Sequence, residues 1–323
     1  MALKIRMAVA LTTLALSLSS LAKTPENFIY TSSGDHDAAF PLVARSDIGG
    51  VQIVYNWRLL EPEKDSYDFS GIEQDLARVK AAGKKLFIQI QDRFFEPDAR
   101  YVPDYLMRDT QYGGGIAPQF DNPGEGKPVG SGWVARQWDP AVRQRSQALL
   151  AALAKRLDGK VYGVNLPETA IDIDEKNPPA GFTCDSYFAG EMENLAFARK
   201  AFQKSRVVQY VNFWPCEWDN DHNYMGRLFA YASANNIGLG GPDIVPNRKA
   251  HMKNAYPFFH KNKQTLPLIA MAVQEPTLTY KNPQTGKQSG ICPLRRKLSR
   301  CRYYFLEHDV SLAKGEVMPS YAR

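Results

Sequence analysis

The chain has 323 residues, 44% of them hydrophobic and 23% charged, with four cysteines and a formal net charge of +6. Such a composition excludes a disordered or fibrous protein, and the length is enough to bury a substantial core. The charge is concentrated at the two ends: Lys4 and Arg6 give residues 1–22 a net +2, residues 291–323 carry +4, and residues 23–290 are balanced. A neutral body argues against nucleic acid or another polyanion as partner.

Residues 1–22 read as a signal peptide. Lys4 and Arg6 form its charged start, Met7 to Leu18 a short apolar stretch, and Ser20-Leu21-Ala22 the small residues a signal peptidase reads. The apolar stretch is too short to span a bilayer, and no later run reaches that length, so no membrane span is expected. The implied protein is exported, periplasmic or extracellular. It begins near Lys23 and folds where disulfides form.

From there short β-type runs alternate with helical patterns. The runs are Asn27–Thr31, Val51–Asn56, Lys85–Gln91, Val161–Leu166, Val207–Phe213, Ile237–Gly240 and Leu268–Val273, most without strict alternation, as buried parallel strands read. Between them, Ile72, Leu76 and Val79 repeat at helical spacing up to a stop at Gly83. Asp139-Pro140 opens a helix through Leu157, and Met192–Phe202 and Tyr224–Ala234 are two more. Serial βα units imply a doubly wound sheet or a (β/α)8 TIM barrel. No glycine-rich phosphate loop follows an early strand, and polar residues follow the strand ends throughout, which favours the barrel, with residues 23–290 as its body.

Those strand-end residues are Asn56, Trp57 and Arg58 after the second strand, and Gln89, Gln91, Asp92 and Arg93 at the third. Asn165 and Glu168 close the fourth, Trp214, Glu217 and Trp218 the fifth, Asp243 the sixth, and Gln274 and Glu275 the seventh. Carboxylates, amides and indoles converging on one rim suit a carbohydrate: indole faces stack on sugar rings, and carboxylates and amides meet hydroxyls. Glu168 and Glu275 matter most, because strands four and seven are expected to face each other across a barrel. Glycoside hydrolysis needs such a pair, an acid for the leaving oxygen and a carboxylate on the other face. Either glutamate alone reads better as a surface loop residue; the two at these strand ends favour catalysis.

The stretch Tyr55-Asn56-Trp57-Arg58-Leu59-Leu60-Glu61-Pro62-Glu63, followed by Tyr67-Asp68-Phe69-Ser70, resembles the second βα unit of clan A glycoside hydrolases of the β-galactosidase and glycanase type. The resemblance implies a secreted bacterial (β/α)8 barrel with retaining chemistry, acid/base Glu168 and nucleophile Glu275. It also implies a β-linked glycan or glycoside as substrate and no cofactor or metal. The clan places Asn directly before the acid/base Glu, whereas here Leu166 and Pro167 separate Asn165 from Glu168. A catalytically inactive glycan-binding barrel is the alternative reading. A metal-dependent hydrolase is a third, resting on Asp35-His36-Asp37 and on Asp219, Asp221 and His222, with no H-E-x-x-H or Cys/His cluster behind it. Trp133 and Trp138, in a Gly/Pro-rich loop after strand three, read either as a sugar platform or as a packed lid.

Residues 291–323 form an atypical tail in which no convincing eighth strand is evident, so the eighth βα unit is expected to be atypical or incomplete. Codon degeneracy permits a +1 frame over Ile291–Lys314 that reads as an amphipathic helix and a strand ending in Phe-Trp. A frameshift between about Pro283 and Ile291 is therefore one reading, and a genuinely divergent tail is the other. Four cysteines allow three pairings. Cys184 and Cys216, in the loops after strands four and five on one rim, are the expected pair; Cys292 and Cys301 either pair locally or are accidents of frame.

Overall fold

The computed structural model describes residues 25–33, 36–121, 130–242, 249–273 and 303–307. Its centre is a closed barrel of eight strands: β1 (Glu26–Ser32), β2 (Ile48–Asn56), β3 (Lys85–Gln91), β4 (Gly163–Leu166), β5 (Arg206–Tyr210), β6 (Gly238–Gly241), β7 (Ile269–Val273) and β8 (Tyr303–Glu307). Each strand runs parallel to its neighbours in chain order, and β8 pairs with both β7 and β1 to close the ring. The (β/α)8 reading holds. The tail does contain a strand, Tyr303–Glu307, whose aromatic run suits a pleated surface. Its Arg- and Cys-dense flank hides that strand from a reading by composition. Cys292 and Cys301 lie outside the described residues.

Helices cover the barrel where the sequence places them. Gly83 adopts φ +70°, the left-handed conformation that ends the helix Ser70–Ala81. Asp139 caps Pro140–Leu157 by accepting from the Ala141 amide at 2.8 Å. The next helix, Cys184–Ala201, starts eight residues before the expected Met192, because Thr183 and Ser186 form a reciprocal capping box. β5 stops at Tyr210, short of the expected Phe213, because the Asn212 side chain accepts from the Phe213 amide and draws the backbone out of the ladder. The loop after β3 is not irregular: Arg93–Phe94, Ile116–Asp121 and Gly130–Ala135 form a small antiparallel sheet. No helix among the described residues is long and apolar enough to cross a membrane.

Side chains sort by parity. Phe28, Phe87, Val208, Tyr210, Leu268, Ala270 and Ala272 pack together inside the barrel. Alternating with them, Val51, Ile53, Val164, Leu166, Val207, Leu239, Ile269 and Met271 face the helices in the larger core. A polar layer crosses the interior as well: the Gln52 amide donates to Gln89, and the Tyr210 hydroxyl donates to Gln52 at 3.2 Å.

The large ring of Tyr210 fits because β6 is nearly all glycine. A Cβ at Gly240 would lie 1.7 Å from the Ala270 carbonyl oxygen and 3.0 Å from the Tyr210 ring. Backbone cannot yield as a flexible side chain can, so Gly240→Ala is expected to destabilise the barrel by roughly 1–3 kcal/mol. Urea denaturation measures this, and an unchanged midpoint would refute the close approach.

Candidate active site

The second strand delivers Asn56 and Trp57 to the C-terminal rim, and there they part. Asn56 caps the short helix Trp57–Leu60 by accepting from the Leu59 amide at 3.0 Å, and it pairs in register with Gln91. Trp57 points away from the barrel interior. It is buried against the helices, and its indole N–H donates to Glu61 at 2.8 Å. Glu61, fully buried, also accepts from the Asp65 amide and from Arg145. Residues four apart on a helix meet, so the Trp-x-x-Leu-Glu segment ties the rim to the helix layer. Arg58 lies outside, bound to Asp104 at 2.9 Å.

Asp92 and Arg93 turn away from the mouth as well: the alternation that turns Gln91 inward sends Asp92 outward, and Arg93, beyond the end of β3, departs from that alternation to meet acceptors behind the rim. Arg93 has no exposed surface. It bonds Asp92 at 3.0 Å, Glu191 at 3.1 Å and the Tyr187 hydroxyl at 2.9 Å, and it donates to the Glu168 carbonyl. Gln137 donates to the other oxygen of Asp92 at 2.7 Å and accepts from Asn194 at 2.9 Å. Burial opposes the charge on Arg93, but Asp92, Tyr187 and Glu191 outweigh it and hold the guanidinium protonated. Burial likewise pushes the Glu191 carboxyl up, with Arg93 opposing and Asp92 reinforcing the shift.

Glu168 follows directly on this cluster. β4 ends at Leu166 because Pro167 has no N–H for the ladder. The Pro167 carbonyl accepts from Gln209, and that of Glu168 accepts from Arg93. Thr169 then bonds the Tyr210 carbonyl through its amide at 3.1 Å and the Phe213 carbonyl through its hydroxyl at 2.8 Å. The half-buried Glu168 side chain accepts from Asn212 Nδ2 at 2.8 Å. Leu166 and Pro167, between Asn165 and Glu168, have a structural consequence: Asn165 lies a layer lower, level with Gln89, and the amide beside the carboxylate comes from β5's continuation. Asn165 is fully buried, and neither its side-chain oxygen nor its nitrogen has a partner among the described residues; Gln91 Oε1 is similarly buried. Asn212 is absent from the residues singled out by sequence, although the run Val208, Tyr210, Asn212 places it on the inward parity.

Beside Glu168 the exits of β4 and β5 enclose a cleft of about 290 Å³, to which Trp214 and Trp218 both contribute. Trp214 is 2% exposed, packed on Phe188 at 4.9 Å and on Tyr187 at 6.0 Å between ring centroids, whereas Trp218 is 44% exposed. Cys184 and Cys216 form the expected disulfide, with Cα atoms 6.2 Å apart, stapling this loop to the start of the helix Cys184–Ala201. Glu217 accepts from the Tyr224 and Met225 amides and so caps the next helix; burial pushes its carboxyl up. Asp221 binds His222 and Asp219 binds Lys253. Trp138 is buried and meets Phe182 edge-on at 5.0 Å, whereas Trp133 is half-buried, with Arg100 over its ring at 4.1 Å.

Asp243, Gln274 and Glu275 lie outside the described residues. β7 ends at Val273, two positions before Glu275 in the chain, and β4 and β7 are three places apart on the ring, with β5 and β6 between them.

Replacing Arg93 by Met would leave Asp92 and Glu191 buried without their cation, at a cost of about 3–5 kcal/mol, readable by urea denaturation. Glu191 has a second signature. Its folded-state carboxyl is raised, so its stabilisation is complete below the ordinary value of about 4.3 and is lost as pH rises through the folded one. Thermal melts of Glu191→Gln should therefore decline less than wild type over that rise.

No protein-family model matches the chain, and no curated protein matches it by sequence. Solved structures do. The catalytic domain of a β-amylase from Paenibacillus polymyxa superposes with a TM-score of 0.57 at 11% identity, over 87% of this chain and 91% of that one. A psychrophilic glycoside hydrolase family 10 endo-β-1,4-xylanase gives 0.53 at 10% identity, over 88% and 85%. A mutant of xylanase A from P. fluorescens subsp. cellulosa, in complex with xylopentaose, gives 0.53 at 12% identity, over 91% and 88%. At such identities the likeness is one of fold: the chain shares the barrel architecture of these glycoside hydrolases.

Proposed function

We propose that this protein is a retaining glycoside hydrolase acting on a β-linked glycan or glycoside, with Glu168 as acid/base and Glu275 as nucleophile. One observation carries the reading: a carboxylate stands at the C-terminal end of β4, its own carbonyl bonded by Arg93 and that of the preceding Pro167 by Gln209, with an amide donor at 2.8 Å. Catalysis by a positioned acid needs that rigidity. The names of the structural neighbours, a β-amylase and two xylanases, support a carbohydrate ligand.

In this mechanism Glu275 attacks the anomeric carbon while the glycosidic C–O bond breaks and Glu168 gives its proton to the leaving oxygen. Glu168 then takes a proton from water, whose oxygen displaces Glu275 from the anomeric carbon with net retention. Asn56, Gln91 and Asn212 serve as inward amides for sugar hydroxyls, with Asn165 a layer below them; Asp243 and Gln274, outside the described residues, are assigned the same role from the sequence. Trp57 and Arg93 act as positioning residues. The Cys184–Cys216 bond supports an exported protein in an oxidising compartment.

The purified protein, screened against aryl β-glycosides and β-linked polysaccharides, should hydrolyse at least one. On that substrate Glu168→Gln and Glu275→Gln should each reduce kcat/KM roughly 100-fold or more, with unchanged thermal melts. Proton NMR should show the first-formed product with the β configuration; an α product would overturn retention. Binding without turnover in the wild type would establish the inactive glycan-binding barrel instead.

A further inference from the structure

Asn212 uses both ends of its side-chain amide. Its Oδ1 accepts from the Phe213 amide at 3.0 Å, and its Nδ2 donates to Glu168 Oε2 at 2.8 Å. The first bond fixes the sense of the second: a backbone N–H is met by the amide oxygen, so the nitrogen is the end that faces the carboxyl group. The residue is also held from both sides. Thr169, which follows Glu168, donates its amide to the Tyr210 carbonyl at 3.1 Å and its hydroxyl to the Phe213 carbonyl at 2.8 Å. The Val211 amide donates to the Gly240 carbonyl at 2.8 Å. These bonds bracket Asn212 and tie its segment to the one that carries Glu168.

A neutral donor in this place has a definite effect on a carboxyl group. It favours the ionised form. In the protonated form it is best met by the carbonyl oxygen, a better acceptor than the hydroxyl oxygen, so a bond at Oε2 puts the proton on Oε1. The Asn212 amide does not itself titrate, so it orients the carboxyl group without competing for the proton. An amide nitrogen carries two N–H bonds, which leaves one for a sugar hydroxyl.

We propose that Asn212 is a positioning residue for the candidate acid: by holding Oε2 it makes Oε1 the oxygen that carries the proton in both steps. The assignment rests on Glu168 being the acid/base. In the first step the Oε1–H bond breaks and its proton goes to the leaving oxygen. In the second an O–H bond of water breaks and its proton goes to Oε1. The other ionisable groups of this corner are Arg93 from the exit of β3, Tyr187 and Glu191 from the helix Cys184–Ala201, Asp172 on Glu168's own segment and Glu217 on the loop after β5, with Glu275 outside the described residues. All of them stay in place in the variants below.

Asn212→Asp keeps an acceptor for the Phe213 amide and turns the donor to Glu168 into an acceptor, which would draw the Glu168 proton away from the leaving oxygen. Asn212→Ala removes both bonds. Carbon-13 NMR of the full-length chain, labelled at its glutamate side-chain carboxyls, reads the contact without turnover. The Glu168 signal, identified by its loss in Glu168→Gln, should titrate at higher pH in both variants than in the wild type. An unchanged titration would overturn the proposal. On glycosides that the wild type hydrolyses, Asn212→Asp should lower kcat/KM about tenfold or more further for a sugar or alkyl leaving group than for a nitrophenol, because only the poor leaving group needs the proton. Equal losses on both would make Asn212 a sugar contact alone and sink the positioning role with hydrolysis intact. A shifted titration in a protein without turnover would discard the acid, and this role with it.

Discussion

The constraint on which this barrel's rim depends is one cation with no access to water. Arg93 leaves β3 and turns away from the mouth, where a guanidinium could survive only if every donor found an acceptor. The four acceptors come from three places: Asp92 beside it, Glu191 and Tyr187 on the helix Cys184–Ala201, and the Glu168 carbonyl beyond β4. Satisfying that one charge therefore determines where the helix sits, how β4 exits and where the candidate acid begins. Removal of any partner leaves the charges of the others uncompensated, so the cluster acts as a unit.

Around that anchor, strand parity sets the division of labour. Residues of one parity on β2 to β5 enter the barrel, where Gln52, Gln89 and Tyr210 form a bonded layer and Gln91, Asn165 and Asn212 continue the inward set. Residues of the other parity meet the helices, and these include Trp57 and Asp92. The same rule explains why the Trp57 indole packs among the helices, whereas Arg93, of the inward parity, is drawn out of the mouth by Asp92, Glu191 and Tyr187. Trp57 spends its N–H on Glu61, and Glu61 in turn is held by Arg145. The aromatic surface near Glu168 belongs instead to Trp214 and Trp218, on a loop kept in place by a disulfide.

Much of the fold was legible in local chemistry. The strand Lys85–Gln91 and the helix Tyr224–Ala234 coincide with their expected spans, because the apolar run of one and the helical spacing of the other are complete within the segment. Boundaries moved where a side chain competes with the backbone: Thr183 with Ser186 starts a helix early, and Asn212 ends a strand early. The eighth strand was missed because its neighbours' charge outweighed three β-prone aromatics, Tyr303, Tyr304 and Phe305, in a reading by composition. The cysteine pair was legible because two successive loops on one rim must lie close. Of the site, Glu168 and its place after β4 could be read from spacing. Asn212 could have been, from the inward parity of Val208 and Tyr210.

The sequence by itself determined the repeating alternation of strands and helices, the helix caps, the Cys184–Cys216 pair and the position of a glutamate at the fourth strand end, since each depends on residues near one another or on a simple period. Only the tertiary structure decided which polar residues point to the mouth and which are consumed in holding it. That choice depends on partners 45 to 98 positions away, as Gln137 is from Asp92 and Glu191 from Arg93. No local pattern records such pairings. They exist because a buried charge must be matched wherever the closed barrel happens to bring a partner.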